Sequence, residues 1–73
     1  MRNERIEINP AIMRGKPVIR GTRITVESVL RKLGAGMTLK EIMADHPQLT
    51  EADIRAAQAF AADYIADEEI VFG

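Results

Sequence analysis

The chain has 73 residues, 47% of them apolar and 29% charged, with no cysteine, one histidine and a formal net charge of −1. A chain this short makes a single domain, 1–73, that buries only about 60% of the surface its unfolded form exposes, and the composition is that of a folded protein rather than a disordered one. The lack of cysteine and the lone His46 exclude disulfide staples and Cys/His zinc sites, and no apolar run reaches the roughly eighteen residues of a membrane span.

The amino terminus, Met1-Arg2-Asn3-Glu4-Arg5, is charged and carries no apolar signal core, so the expected compartment is the cytoplasm. Ile6-Glu7-Ile8 alternates and predicts a short strand that ends at Asn9-Pro10, because proline pushes the residue before it into extended backbone. Ala11-Ile12-Met13 reads as an apolar turn and Gly15-Lys16-Pro17 as loop. Val18-Ile19 is β-branched and can pair with residues 6–8 as a ribbon, broken at Gly21. A two-stranded ribbon alone is barely stable, so it must lie on something else. Residues 5–24 are therefore ribbon and loop.

Residues 25–66 read as three helices. Thr25 is a good N-cap for a first helix with Val26, Val29, Leu30 and Leu33 on one stripe. Gly34 stands where a left-handed C-cap is wanted, and Arg31 and Lys32 favour the last turn. Thr38-Leu39-Lys40-Glu41 is a capping box that starts a short helix with Leu39, Ile42 and Met43 inward, stopped by Pro47 near Asp45. His46 reads as a turn residue there. Thr50 caps a third helix, with Leu49 packing back on Ile54. This helix spans Glu51 to about Ala66, with Ile54, Ala57, Phe60, Ala61, Tyr64 and Ile65 as its buried stripe. Ala52, Ala56, Ala59 and Ala62 make a slim outer face, either as plain helix formers or for close approach to another helix. The acids Asp67, Glu68 and Glu69 crowd the wrong end for the helix dipole, and Ile70-Val71-Phe72 closes an acidic, apolar tail, 67–73.

Charge divides along the chain. Residues 1–40 hold nine Lys or Arg against three Glu, net +6, and residues 41–73 hold one Arg against eight acids, net −7. Such a split suits two partners of opposite sign, or simply solvates and pairs within a small domain. The catalytic inventory is thin: Ser28 and His46 would have to serve as nucleophile and base in a chain too small to wall off a pocket. No enzyme activity and no cofactor are expected.

Three helices, the last two joined by His46-Pro47-Gln48-Leu49, match helix-turn-helix spacing. The third helix would then read bases, but Glu51, Asp53 and Asp63 outnumber Arg55 on it, and acids repel phosphates. Arg55 and Gln58 are its side chains suited to a base edge. Phosphate contacts are expected instead from Arg14, Lys16, Arg20, Arg23, Arg31, Lys32 and Lys40. The stretch Arg14 to Arg23 has the look of a phosphate cradle without being a P-loop. Gly15, Gly21 and Thr22 equally suit tight-turn geometry, and Arg23 suits a fork onto carbonyls or onto Glu27. Met13, Met37 and Met43 fit as gap fillers or adaptable surface.

Asn9-Pro10-Ala11-Ile12, Gly15-Lys16-Pro17-Val18-Ile19-Arg20-Gly21-Thr22-Arg23-Ile24 and Val26 together resemble the hallmark of the domain-of-unknown-function 433 family. Gly36-Met37-Thr38, Glu41-Ile42, His46-Pro47-Gln48-Leu49-Thr50, Asp53-Ile54 and Ala56-Ala57 continue the pattern, so the resemblance covers roughly residues 5–65. It implies a mainly α, homeodomain-like three-helix helix-turn-helix fold with a short N-terminal β ribbon, often dimeric. Some members are similar to VapB-type antitoxins encoded beside a PIN-like nuclease toxin. On that resemblance the chain would neutralise a neighbouring ribonuclease toxin and bind operator DNA. The toxin contact is expected on Asp63, Tyr64, Asp67, Glu68, Glu69, Ile70 and Phe72. Two other readings stay open: a stand-alone DNA-binding transcription regulator, and a dimeric adaptor that binds no DNA.

Overall fold

The computed structural model describes residues 3–67. In chain order it has β1 (Ile6–Glu7), a 3-10 turn (Met13–Gly15), β2 (Val18–Ile19), α1 (Val26–Gly34), α2 (Leu39–Asp45) and α3 (Glu51–Asp67). The molecule is thus mainly helical, three helices with one two-stranded antiparallel ribbon. Most of the acidic, apolar tail, from Glu68 onward, lies outside the described residues.

The ribbon pairs Ile6 with Ile19 and Glu7 with Val18. Ile8 was expected to extend β1, but it lies outside the strand and is 60% exposed. The ladder stops there, and Pro17 turns its carbonyl the other way, accepting from the Val26 N–H at 2.9 Å. The Asn9 side chain then turns the chain by accepting from the Ala11 N–H at 2.9 Å. The far end of β2 turns back on itself. The Ile19 N–H reaches the Ile24 carbonyl at 2.9 Å, Thr25 bridges Val18, and Gly21 takes a φ of +82° inside the turn. That conformation suits glycine because it has no Cβ.

Helix starts follow the capping chemistry. The Thr25 hydroxyl accepts from the Ser28 N–H, and Thr38 and Glu41 form a reciprocal capping box. The end of α1 differs from expectation. Gly34 is its last helical residue, Ala35 is the C-cap, and the left-handed position falls two residues on, at Gly36 with φ +94°. The Met37 N–H reaches the Lys32 carbonyl and the Gly36 N–H the Leu33 carbonyl, both at 3.0 Å. This is a Schellman motif, which satisfies carbonyls the helix leaves open.

Ile6, Ile19, Val26, Val29, Ile42, Leu49, Ile54, Ala56 and Ala57 form one buried cluster, with Leu30, Leu33, Leu39, Met43 and Phe60 packed against it. Leu49 and Ile54 are thus both in the core, as the staple reading requires. The stripe of α3 departs from expectation at two places. Ala56, placed on the outer face, is buried, because β1 packs against the first half of α3 and widens its covered side. Tyr64 and Ile65, placed in the stripe, are 60% and 61% exposed. α1 has nine residues and α3 seventeen, so the last turns of α3 run past the helix they pack on.

Candidate functional site

Two surface features gather the residues that sequence reasoning singled out. One is a cationic cavity at the start of α1, and the other is an apolar groove between α1 and the second half of α3.

The cationic cavity, about 450 Å³, is lined by Met13, Arg14, Lys16, Thr25, Glu27, Ser28 and Arg31. Its wall is an unusual turn. Met13, Arg14 and Gly15 have φ of +48°, +59° and +83°, three left-handed residues in succession, two of them with a Cβ. Each such non-glycine residue costs on the order of 1–3 kcal/mol and persists only where surrounding structure imposes it. Here the Gly15 N–H bonds the Ile12 carbonyl at 3.0 Å and the Lys16 N–H bonds the Met13 carbonyl at 3.1 Å. The sequence marked an apolar turn at this place but not its handedness.

Glu27 organises the opposite wall. Its carboxylate accepts from the Lys16 ammonium at 3.0 Å and from Arg31 at 3.1 Å. The Lys16 hydrogen bond, then the Arg31 one, holds the Glu27 carboxyl below the usual carboxylate range. The Arg14 side chain has no ion-pair partner among the described residues.

The remaining expected phosphate contacts are scattered. Arg20 is not a free cation: its Nε donates to the Glu4 carbonyl at 2.6 Å and its terminal N–H to the Ile6 carbonyl at 3.2 Å, clamping β1 to β2. The fork onto carbonyls considered for Arg23 thus belongs to Arg20, and Glu27, the carboxylate considered for Arg23, is held by Lys16 and Arg31 instead. Arg55 pairs with Glu51 at 3.5 Å one turn away on α3. Arg23, Lys32 and Lys40 have no ion-pair partner among the described residues, and Gln58 is exposed on α3.

The groove, about 420 Å³, is lined by Pro17, Val26, Leu30, Phe60, Ala61, Tyr64 and Ile65, with Glu27 and Arg31 at its edge. The Tyr64 ring stacks on Phe60, centroids 6.2 Å apart and planes 14° from parallel. Among the expected partner residues, Tyr64 is exposed in this groove, Asp63 is half-buried on α3 and Asp67 is exposed at the helix end. Glu68, Glu69, Ile70 and Phe72 lie outside the described residues.

One pair was missed by the sequence reading. Asp53, 9% exposed, accepts from the Arg5 guanidinium at 3.0 Å and from the Thr50 N–H at 3.0 Å, while its own N–H donates to the Thr50 hydroxyl at 3.2 Å. Thr50-x-x-Asp53 is a capping box with Asp in place of Glu, a signal that the spacing carried. Burial works against ionisation of Asp53, but the Thr50 N–H, the Arg5 guanidinium and the Thr50 hydroxyl outweigh it and lower its pKa. His46 caps α2, as its turn position implied, donating its N–H to the Ile42 carbonyl; its Nε2 is buried with no hydrogen-bond partner. No three His, Asp or Glu side chains cluster to hold a metal among the described residues, and no helix there is long and apolar enough to cross a membrane.

Comparison with known proteins places this arrangement. The family described as "Protein of unknown function (DUF433)" matches residues 6–61. An uncharacterized protein, y4eO, of Sinorhizobium fredii is 34% identical over 71 residues, 96% of this chain. The chain spans only 32% of that relative's length. The crystal structure of a DUF433 member from Anabaena variabilis superposes with a TM-score of 0.81 at 31% identity, over 89% of this chain and 64% of that one. With the family pattern covering most of the chain and the same fold in a solved member, the chain belongs to the DUF433 family.

Proposed function

We propose that the chain is an antitoxin-type adaptor with a homeodomain-like helix-turn-helix core. The far end of α3 docks a basic partner protein, and the cations around the ribbon and α1 contact operator DNA. The family resemblance supplies the kind of partner, a PIN-like ribonuclease encoded next door. The observation that carries the docking half is the exposure of Tyr64 and Ile65 on an apolar groove, at the acidic end of α3 that also carries Asp63 and Asp67 in sequence. Burying an aromatic anchor in a ring of charge is how small interfaces concentrate their energy. Carboxylates on the same stretch of α3 suit a basic surface built to hold RNA. The DNA half rests on Arg14, Arg23, Lys32 and Lys40, which have no ion-pair partner among the described residues.

Co-expression with the product of the neighbouring gene tests the docking half. The two proteins co-purify, and Tyr64→Ala with Ile65→Ala weakens the complex by about tenfold or more, the usual effect of losing an interface anchor. A complex untouched by the double substitution overturns the docking surface. A second reading, a stand-alone DNA-binding regulator, draws on the same four cations. Under it, gel shifts on the chain's own promoter weaken with salt and with charge reversal of Lys32 and Lys40, and no partner protein is retained. A chain that self-associates tightly and binds DNA at no salt concentration is instead the dimeric adaptor.

A further inference from the structure

We propose that the cavity between the left-handed turn and α1 is a phosphate-binding site, with Arg14 as its principal donor and Arg31 and Lys16 as its flanks. The inference goes beyond the adaptor reading, because it assigns a bounded site and a ligand group rather than a face.

Three observations converge. The cavity, about 450 Å³, falls within the roughly 300–1,000 Å³ of small-molecule sites. Three of its seven lining residues are cationic and one is acidic, a local net charge of +2 in a molecule whose total is −1. Two of its cations are also held in advance, and the backbone of the third is fixed. Glu27 fixes Lys16 at 3.0 Å and Arg31 at 3.1 Å, while the turn fixes the backbone of Arg14 in an otherwise disfavoured conformation. Donors held in place before the ligand arrives lose little freedom on binding.

The ligand class follows from what remains unsatisfied. The Ser28 hydroxyl already donates to the Thr25 carbonyl, and the Ser28 N–H is taken by the Thr25 cap. Among the described residues, the donors left over are therefore the whole Arg14 guanidinium and the remaining N–H groups of Lys16 and Arg31. Several cationic donors around one cavity fit a multi-oxygen anion, and a guanidinium matches phosphate oxygens in a bidentate fork. The phosphate can be free or part of a nucleic-acid backbone.

The test is a titration of the full chain, followed by amide chemical shifts, with inorganic phosphate in one arm and a short duplex DNA in the other. With inorganic phosphate, shifts are expected in residues 13–16 and 25–31. Arg14→Asn keeps the turn, because asparagine tolerates left-handed backbone, and weakens phosphate binding by about fivefold or more through loss of a charged donor. Arg14→Lys restores part of what Arg14→Asn loses. Shifts centred elsewhere, or equal binding by wild type and Arg14→Asn with thermal melts unchanged, overturn the site. The duplex arm separates the two proposals. Phosphate binding here without duplex binding overturns operator contact and keeps the site. Duplex binding indifferent to Arg14→Asn, with no phosphate shifts in the cavity, overturns the site and keeps operator contact.

Discussion

Asp53 and Arg20 carry more structural responsibility than their exposed, charged neighbours. Asp53 closes the cap of α3 and ties Arg5 to it, so a single carboxylate joins the strand end to the last helix. Its pKa is lowered on folding, so the folded state favours the ionised form. That stability is fully present above the ordinary aspartate range and is lost as pH falls through the lower folded value. Thermal melts are therefore expected to drop steeply below about pH 4, and Asp53→Asn should flatten this acid limb while lowering stability at pH 7. An unchanged acid limb in the variant would remove Asp53 from this role. Arg20→Ala is expected to cost about 1–3 kcal/mol in urea denaturation, because it removes charged hydrogen bonds to two carbonyls, one in β1 and one just before it. Its phosphate affinity should not change, unlike that of Arg14→Asn.

At the scale of elements, the end of α1 offers a paired test. Gly34 is helical with open space where a Cβ would stand, whereas Gly36 holds φ +94° in the Schellman turn. Gly34→Ala is expected to stabilise by about 0.5–1 kcal/mol, and Gly36→Ala to destabilise by about 1 kcal/mol or more, since alanine disfavours positive φ. Equal effects at the two sites, read from denaturation midpoints, would contradict this assignment of the cap. The first half of α3 is core and its second half is surface, although one apolar pattern runs through both. Ile54→Ala is expected to cost about 2–5 kcal/mol, a large share of what a chain this small can hold. Ile65→Ala should stay within about 0.5 kcal/mol of wild type.

Across the whole molecule, the opposite signs of the two halves are only partly spent on each other. Arg5 with Asp53 joins the positive half to the negative one, whereas Glu27 takes up Lys16 and Arg31 inside the positive half, and Glu51 takes up Arg55 inside the negative half. The consequence is local: among the described residues, cationic surface remains around the left-handed turn, and the exposed apolar side chains Tyr64 and Ile65 stand at the far end of α3.

Local chemistry was legible from the chain alone. Thr25, Thr38 with Glu41, and Thr50 announced the helix starts, Pro47 announced a stop, and the alternation at Ile6-Glu7 announced the ribbon, because each acts within a few residues of itself. What depended on distant contact was not legible. Neither the burial of Asp53 against Arg5, 48 residues away, nor the use of Arg20 as a strand clamp has a local signature. Periodicity likewise says which residues share a helix face, but not how far along α3 a neighbour covers it. The shorter α1 ends that cover before Tyr64 and Ile65, and the resulting exposed groove exists only once the helices are packed.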